Sequence, residues 1–487
     1  MIFLKLSPSF WMVSFTLFVG IISSGHGQEV APSGSGGETY YERPNLVIIF
    51  TDDQGYGDLS CFGGEHVFTP NIDQMAKEGA RLTSFYVAAP LCSPSRAALM
   101  TGSYPRRVGM EPSSSLAIDL PNVPPGKRFP VCLAGDGNGL NPDEITLAEI
   151  ARSAGYRTGI FGKWHLGDQP EFLPTRQGFE EFFGLPYSHD ITPRHPRQEY
   201  FQFPPLPLLD GEEVIELDPD DNYLTRRVTE RAVKFIKDHK EEPFFLYVPH
   251  PIPHGPLAAS AEIKEEYAKV LADGNTASPN IYSTAIYEID WSVGEILSTL
   301  KEQGIDENTI VLFTSDNGAS RRGSTKPLSG YKGQTLEGGM RMPTVIRWPK
   351  EIEPGSDSDE LLTAMDLLPT FANLIGAKVP NDRIIDGKDI LPVLTEGAKS
   401  PHEYFFYSHW GTLEAVRWKD WKLRIIEGKE ALYNLKSDIA EKKNLASQEP
   451  EIVAQLKKAM VAFEEDIKKN SRPAGHVEDP EILTINK

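Results

Sequence analysis

The protein has 487 residues, of which 40% are hydrophobic, and its formal net charge at pH 7 is −20. A chain of this length can bury a sizeable core, as one large domain or as two domains. The acidic excess argues against nucleic acid and anionic membrane surfaces as general partners, so an anionic substrate would need a local basic site.

Residues 1–27 have the pattern of a signal peptide. Lys5 is their only charged residue, the stretch 10–22 is apolar, and the Gly-His-Gly at 25–27 offers small residues for cleavage. The apolar stretch is too short for a stable membrane span, which predicts export to the periplasm or the medium. An uncleaved anchor is the alternative. The stretch 28–43, rich in Gly, Ser and polar residues, predicts a flexible leader.

The first predicted element is a strand over 45–50, a continuous apolar run typical of a parallel strand buried on both faces. Asp52 and Asp53 follow it directly, in the position where ligands bind in open α/β sheets. Two adjacent carboxylates repel each other unless a cation or a proton lies between them. The alternative is an exposed acidic turn.

A second stretch, 309–318, repeats this design, because an apolar strand there is followed by Asp316 and Asn317. If the two strand ends lie side by side, these oxygens join those of the first pair in one cluster. An all-oxygen cluster suits Ca²⁺ or Mg²⁺ better than zinc.

The segment around Cys92 predicts a loop that runs into a helix. Ser93 is expected to cap the helix, Pro94 suits its first position, and Gly102 suits its end. Cys92 would then lie at the positive end of the helix dipole beside Arg96, where an anion is favoured and a thiol can be activated. A small buried cysteine before a short surface helix is the alternative.

The chain has three cysteines, too few for disulfides to hold an exported fold together. Apart from Cys92 they are Cys61 and Cys132, which could pair or stay free. The Pro-, Gly- and Ser-rich stretch 111–142 predicts a long loop, and 144–154 predicts a helix with an apolar face.

Residues 156–165 then end in Gly-Lys-Trp-His. In an extended segment Lys163 and His165 point the same way, and such a pair can hold an oxyanion and move a proton. A surface lysine and a partly buried histidine are the alternative. Ser188 follows in a turn that it could simply cap, and 191–222 predicts an irregular lip over the site.

A buried strand over 244–248 leads into a Pro-rich segment that presents two histidines rigidly. His254, followed by Gly-Pro, is the preferred functional residue, and His250 is a possible neighbour. Further along, Lys332 lies between glycines that let the backbone approach a ligand closely. A solvated lysine on a flexible loop is the alternative there. Helices are predicted over 223–239 and 280–303.

The composition shifts near residue 400. The alternating stretches 415–424 and 431–435 predict antiparallel strands, and 451–469 predicts a final amphipathic helix. The sequence therefore predicts an α/β fold, with a large, mostly parallel sheet flanked by helices over 44–395 and a smaller subdomain of antiparallel sheet plus helix over 396–487. Lys419 and Lys422 are interpreted as ordinary exposed residues of that subdomain.

Six separated motifs resemble, in their order, those of the type I, formylglycine-dependent sulfatases, in particular the arylsulfatase A-like branch of the alkaline-phosphatase-like superfamily. They are Asp-Asp at 52–53, Cys-Ser-Pro-Ser-Arg at 92–96, Gly-Lys-Trp-His at 162–165, His-Gly-Pro at 254–256, Asp-Asn-Gly at 316–318 and Lys-Gly at 332–333. The resemblance is close over residues 45–350 and looser over 360–470.

The resemblance implies a hydrolase of sulfate esters, acting on a sulfated glycan or a small aryl sulfate. A formylglycine-generating enzyme would oxidise Cys92 to formylglycine, also called 3-oxoalanine. A single Ca²⁺, or Mg²⁺ in its place, would bind that residue together with Asp52, Asp53, Asp316 and Asn317.

The resemblance also implies how the other site residues act. Arg96 would hold the formylglycine hydrate, whose hydroxyl attacks sulfur. His254 would protonate the leaving oxygen, and His165 would take a proton as the sulfated intermediate collapses. The residues implied to contact the sulfate are Lys163, Ser188, His254 and Lys332.

Two other functions fit the same motifs. A phosphonate or phosphate monoester hydrolase of this superfamily is one, although a phosphatase favours a Thr or Ser nucleophile and two metal sites. A non-catalytic glycan-binding protein on the same fold is the other, and the presence of every catalytic residue type argues against it.

Overall fold

A computed structural model of the protein describes residues 43–111 and 131–485. The predicted signal peptide over 1–27 lies outside the described residues, as do the leader except for Arg43 and most of the predicted loop over 111–142. None of the described helices is both long enough and apolar enough to span a membrane.

The strands, in chain order, are β1 (Asn45–Thr51), β2 (Ala80–Tyr86), β3 (Asn138–Gly139), β4 (Arg157–Lys163), β5 (Glu181–Leu185), β6 (Pro207–Asp210), β7 (Glu213–Leu217), β8 (Phe244–Pro249), β9 (Thr309–Ser315), β10 (Arg341–Arg347), β11 (Ser356–Ser358), β12 (Leu362–Thr363), β13 (Tyr404–His409), β14 (Thr412–Trp418), β15 (Trp421–Ile426), β16 (Lys429–Asn434) and β17 (Gly475–His476).

The α-helices are α1 (Pro70–Glu78), α2 (Cys92–Thr101), α3 (Leu147–Ser153), α4 (Gln198–Phe201), α5 (Leu224–Asp238), α6 (Ala261–Ala272), α7 (Ile281–Glu302), α8 (Glu337–Met340), α9 (Leu367–Leu374), α10 (Leu391–Glu396) and α11 (Pro450–Asn470).

The central sheet has the order β11-β2-β10-β9-β1-β8-β4-β5-β6-β7, and β12 pairs with β2 beside this path. The middle of the sheet, from β9 through β1, β8 and β4 to β5, is parallel throughout. Strand β10 is antiparallel to both of its neighbours, and β6 and β7 form an antiparallel edge. The predicted α/β class with a large, mostly parallel sheet is confirmed.

Strand β1 shows why the sheet is covered on both faces. Successive side chains of a strand point to opposite sides. Leu46, Ile48 and Phe50 therefore belong to one core cluster, which includes residues of α2, α3 and α9. Val47 and Ile49 belong to another, which includes residues of α1, α5 and α7. Burial on both faces explains the continuous apolar run in the sequence.

The predicted helices agree with α5, α7 and α11 to within two residues at each end. Helix α3 begins three residues later than predicted. The reason is a capping box, in which Thr146 and Glu149 bond each other's backbone N–H groups and fix the start of the helix.

The interpretation of residues 191–222 as an irregular lip is wrong in part. Residues 207–217 form β6 and β7, which extend the central sheet at its edge. The alternating polar and apolar residues of this stretch are typical of a half-exposed edge strand, and its prolines obscured that pattern.

The predicted C-terminal strands and helix are confirmed as the antiparallel sheet β13-β14-β15-β16 and helix α11. Strand β13 was not predicted. The interpretation of Lys422 as exposed is wrong, because its side chain is fully buried and its Nζ lies 2.9 Å from both Glu337 Oε1 and Glu441 Oε1. The domain boundary at 395/396 stays a prediction.

The two cysteines outside the central motif do not form a disulfide. Cys61 is half-buried, Cys132 is buried, and both are free thiols.

The stability of the fold is expected to fall at acidic pH because of His250. Its ring is fully buried with Nε2 3.1 Å from Ser292 Oγ, and burial lowers its pKa to about 3. The unfolded chain has an ordinary histidine pKa of about 6.5 and so binds more protons than the native state between these values. Stability therefore rises with pH through this window and is lost as the pH falls.

We expect His250→Asn to remove this contribution, which amounts to about 2 kcal/mol between pH 7.5 and pH 5. Urea unfolding of both proteins at the two pH values measures it. His476→Asn, at an exposed histidine, is the control. An equal loss of stability on acidification in the wild type and in His250→Asn would contradict the prediction.

Candidate active site

The carboxyl ends of β1 and β9 bring four polar side chains together. The strands are parallel neighbours with Thr51 opposite Ser315, so the residues that follow them emerge at one edge of the sheet. Ligand atoms of Asp52, Asp53, Asp316 and Cys92 all lie within 4.8 Å of one another. Asn317 donates from Nδ2 to Asp53 Oδ1 at 2.7 Å, which adds it to the same cluster.

The cluster has the donors that a hard divalent cation requires. All of its members are buried, and carboxylate and amide oxygens are the ligands of Ca²⁺ and Mg²⁺. Asn317 Oδ1 is buried and has no hydrogen-bond partner in the described part of the chain. Buried polar atoms in native proteins nearly always have a partner, so this oxygen fits a metal ligand.

Three basic side chains surround the carboxylates. Lys163 Nζ contacts Asp52 Oδ2. Arg96 donates from Nε and from a terminal nitrogen to Asp316 Oδ2, at 3.1 and 2.7 Å. Lys332 Nζ lies 2.6 Å from Asp53 Oδ1. The sequence predicted each of these residues at the site, and the fold brings them together from separate segments.

These neighbours act on the two carboxyls differently. Burial favours the neutral form of Asp52, but Lys163 and other nearby positive charges hold its pKa well below the usual value. Burial and the negative charge of Asp52 raise the pKa of Asp316 to about 7. Asp52 therefore carries its negative charge more readily than Asp316, because two closely spaced carboxyls resist being ionised together.

Cys92 is the first residue of α2, and its Sγ lies 3.3 Å from both Asp52 Oδ1 and Lys332 Nζ. The predicted Ser93 cap is wrong, because Leu91 is the N-cap residue and the Ser93 hydroxyl accepts instead from the N–H of Cys132 at 3.0 Å. Pro94 is accordingly the third helical residue and not the first. The predicted end at Gly102 is confirmed by its left-handed backbone, φ 64°.

The expectation of an activated thiol is also wrong. Burial, together with the nearby carboxylates of Asp316 and Asp52, raises the pKa of the Cys92 thiol well above the usual value. These effects outweigh the nearby Lys163 and Lys332, which lower the pKa, so the neutral thiol is favoured in the unmodified side chain.

His165 reaches the site by a different backbone path from the one predicted. Its φ is 64°, so the chain leaves the extended conformation immediately after β4. The ring Nε2 donates to the Cys132 carbonyl at 2.9 Å, which leaves Nδ1 as the basic nitrogen. Burial, reinforced by Lys163 and Arg96, lowers the pKa of His165 well below the usual value.

The choice between the two histidines after β8 agrees with the geometry. His254 Nε2 lies 3.8 Å from Asp53 Oδ2, and its Nδ1 donates to the Gly255 carbonyl at 2.7 Å. Burial and Lys332 lower the pKa of His254. His250 instead points to Ser292 in helix α7 and does not line the cavity.

A cavity of about 380 Å³ opens above Cys92. Ser188, His165, His254 and Lys332 line it, as the sequence predicted. The wall also contains His195, Arg197, Phe201 and Phe203, which belong to the stretch 191–222 predicted to lie over the site. Sequence reasoning missed Trp410, which lines the same cavity.

Trp410 is the least expected member of this wall. It comes from the turn between β13 and β14 in the C-terminal sheet, and it is 50% exposed. The N–H of Gly411, the residue after Trp410, donates to Glu111 Oε1 at 3.2 Å and helps to fix the conformation of this turn. Nothing in the local sequence of Trp410 connects it to Cys92, so its place in the cavity wall follows only from the packing of the C-terminal sheet.

Comparison with known proteins identifies the class to which this fold and site belong. The model of the family described as Sulfatase matches residues 44–377, and a model described as N-sulphoglucosamine sulphohydrolase, C-terminal, matches residues 332–466. The chain therefore belongs to the sulfatase family and is a sulfuric ester hydrolase.

Particular relatives narrow the resemblance to one branch. N-acetylgalactosamine-6-sulfatase of Rattus norvegicus is 38% identical over 398 residues, which are 79% of this chain and 72% of the relative. Arylsulfatase A of Homo sapiens is 38% identical over 387 residues, 75% of this chain and 70% of the relative.

A solved structure agrees with this branch assignment. The crystal structure of Ps i-CgsB in complex with k-i-k-neocarrahexaose has a TM-score of 0.74 at 30% identity, covering 90% of this chain and 96% of that one. The sequence-based resemblance to the arylsulfatase A-like sulfatases is confirmed.

Proposed function

We propose that the protein hydrolyses sulfate esters of carbohydrates through a formylglycine made from Cys92, with a divalent cation, Ca²⁺ or Mg²⁺, bound beside it. The observation that carries the proposal is the meeting of Cys92 with Asp52, Asp53 and Asp316 in one buried cluster. Modification by a formylglycine-generating enzyme would supply a geminal diol as nucleophile. The cation would orient that diol and polarise a sulfate oxygen.

The ligands for the cation would be Asp52, Asp53, Asp316, Asn317 and the modified residue 92. Arg96 is already bound to Asp316, so it would fix that carboxylate and add positive charge beside residue 92. Lys163 and Lys332 would bind sulfate oxygens, and Ser188 would add a hydroxyl donor. Donors fixed in advance around a developing charge commonly contribute on the order of 3 kcal/mol each.

The two histidines suit proton transfer at different points. His165 has its Nε2 tied to a carbonyl and a low pKa, so its neutral Nδ1 would accept a proton from residue 92. His254 lies with Nε2 near Asp53, and once protonated there it would donate to the leaving oxygen, a transfer that its lowered pKa favours. Lys332 would assist by its positive charge, which it retains because Asp53 and Cys92 raise its pKa well above the usual value against the effect of burial.

A carbohydrate is the substrate that the cavity wall favours. Phe201 and Phe203 stack at 4.8 Å between ring centroids, and Trp410 adds a third flat apolar surface. Aromatic faces suit the apolar faces of sugar rings, while Arg197 supplies a donor at the rim. The names of the relatives, N-acetylgalactosamine-6-sulfatase and the protein bound to neocarrahexaose, point to the same class.

Nitrophenyl sulfate and nitrophenyl phosphate, assayed side by side on protein produced with a formylglycine-generating enzyme, test the reaction. We expect turnover of the sulfate to exceed that of the phosphate by a large factor. Preference for the phosphate would favour the phosphonate or phosphate hydrolase, and no turnover of either would favour the glycan-binding relative. Sulfated mono- and oligosaccharides then identify the substrate.

We expect Lys332→Ala to lower kcat by about 10²- to 10³-fold, because it removes a cation that contacts both Cys92 and Asp53. The side chain is 21% exposed, so the melting temperature is expected to change little. Steady-state kinetics and thermal melting measure the two effects. The control is Lys378→Ala, because Lys378 is exposed and does not line the cavity. An unaltered rate in Lys332→Ala would show that the site is misassigned.

Export to the periplasm or the medium belongs to the same proposal. It is supported by the pattern of residues 1–27, with one lysine before an apolar stretch. A protein that acts on carbohydrate sulfates outside the cell would need such a signal. N-terminal sequencing of the native protein tests this part.

A further inference from the structure

A second and larger cavity lies beside the one above Cys92. Its volume is about 800 Å³, and its walls come from the loop after β1 and from the segment between β9 and α8. Its lining is polar and includes Arg322, Lys326, His66, Glu65 and Tyr331. None of these residues has a role in the reaction described above. We call this cavity the basic groove.

The basic groove carries positive charge that is not neutralised locally. Arg322 and Lys326 are exposed, and neither forms an ion pair with any carboxylate in residues 43–111 or 131–485. Arg321 adjoins them, with its guanidinium 5.7 Å from the centre of the Tyr331 ring. Glu65 is the one carboxylate in the lining. In a chain of net charge −20, such a surface is suited to an anion.

The loop that carries these cations is held in place by a buried aspartate. Asp58 is fully buried, and its carboxylate accepts from the Ser324 N–H at 2.8 Å and from the Tyr282 hydroxyl at 2.5 Å. Its Oδ1 also lies 2.8 Å from His66 Nε2. The Gly57 N–H donates to the Ser324 carbonyl at 2.8 Å. Arg322 and Lys326 therefore extend from a backbone that is fixed before any ligand binds.

The basic groove and the active-site cavity share a rim. Tyr331 lines the basic groove and the next residue, Lys332, lines the active-site cavity. The Lys332 N–H donates to the Ala319 carbonyl at 3.0 Å, which closes the loop between them. On the other side, the Arg322 guanidinium packs against Gly255, whose carbonyl accepts a hydrogen bond from His254 Nδ1 at 2.7 Å.

We propose that the basic groove binds a second anionic group, a sulfate or carboxylate, of the same glycan chain whose sulfate ester lies above Cys92. The substrate class is thus an oligosaccharide that bears more than one acidic group. This proposal rests on the proposed sulfatase function and specifies its substrate. Arg322 and Lys326 would contact the second anion, and the shared rim would let one chain occupy both cavities.

Local charge can act this way in an acidic protein because salt screens the distant carboxylates. At physiological ionic strength the Debye length is about 8 Å, so a bound anion responds mainly to the cations in direct reach. The acidic body then disfavours polyanions elsewhere on the surface. The basic groove would therefore favour glycan chains with a second anionic group over chains with a single sulfate.

The test compares substrates that bear one and two sulfate groups. The double variant Arg322→Gln/Lys326→Gln and the control Lys378→Gln are assayed on nitrophenyl sulfate and on carrageenan and glycosaminoglycan tetrasaccharides with one or two sulfates. For the double variant we expect kcat/KM to fall at least tenfold more on a doubly sulfated tetrasaccharide than on nitrophenyl sulfate. The fall should come from a higher KM and not from a lower kcat. Raising NaCl from about 50 to about 500 mM should narrow this difference.

Binding to protein that cannot turn over separates this proposal from the reaction itself. Calorimetry of the same tetrasaccharides with Cys92→Ala, with and without the two groove substitutions, needs no activity. Tighter binding of a doubly sulfated member that is lost with the groove substitutions supports the proposal even if no sulfate ester is hydrolysed. Equal binding with and without the substitutions, or no binding of any doubly sulfated member, would overturn it.

Discussion

Replacing Cys92 with alanine is expected to abolish sulfate-ester hydrolysis, with a loss of at least about 10⁴-fold in kcat. No other described side chain in the cavity can replace an aldehyde-derived nucleophile in contact with Asp52 and Lys332. The substitution removes one buried sulfur atom at the start of α2 and leaves the helix cap unchanged, so the fold should persist. Activity on nitrophenyl sulfate and the far-ultraviolet circular dichroism spectrum measure the two outcomes.

Cys132→Ala is the matched control, because Cys132 is a buried free cysteine near the same cavity and is not proposed to react. Its side chain makes no contact with the carboxylate cluster, so substantial activity should remain. Mass spectrometry of the peptide that contains residue 92 should find formylglycine in the wild type and in Cys132→Ala. An unmodified thiol at Cys92 in fully active protein would refute the proposed nucleophile.

Replacing Asp53 with asparagine is expected to weaken Ca²⁺ binding by about 100-fold or more, because it removes one of three carboxylates from the cluster. A ligand that binds only the native state stabilises it by about 2.7 kcal/mol at 100 times its Kd. The wild type should therefore melt at a higher temperature with Ca²⁺ than with a chelator, and the variant should lose most of this difference.

Asp53 is the best of the three carboxylates for this experiment. Its ionic partner Lys332 is partly exposed, whereas the partners of Asp52 and Asp316 are fully buried and would be left as uncompensated charges. Asp357→Asn, at an exposed carboxylate paired with Arg81, is the control. A Ca²⁺-dependent shift of equal size in Asp53→Asn and in the wild type would contradict the proposed metal site.

The wrong predictions for Lys422 and Ser93 have the same physical cause. Lys422 was interpreted as exposed because alternation along a strand does not reveal that Glu337 and Glu441 cover that face. Ser93 was assigned as a cap because its sequence context is typical of one, but a contact with Cys132 uses its hydroxyl instead. Both depend on residues distant in the chain, which local patterns do not report.

The sequence by itself determined the parallel strands, the main helices and the chemical types at the site. The strands and helices follow from the periodicity of hydrophobic residues. The chemical types follow from short motifs at strand ends, where Asp52 and Asp316 directly follow apolar runs. Only the tertiary structure decided that Lys422 is buried against Glu337, that Trp410 reaches the cavity, and that Arg322 and Lys326 share a groove beside it. These facts depend on loops and on the packing of the small sheet, whose geometry is set by contacts between distant segments.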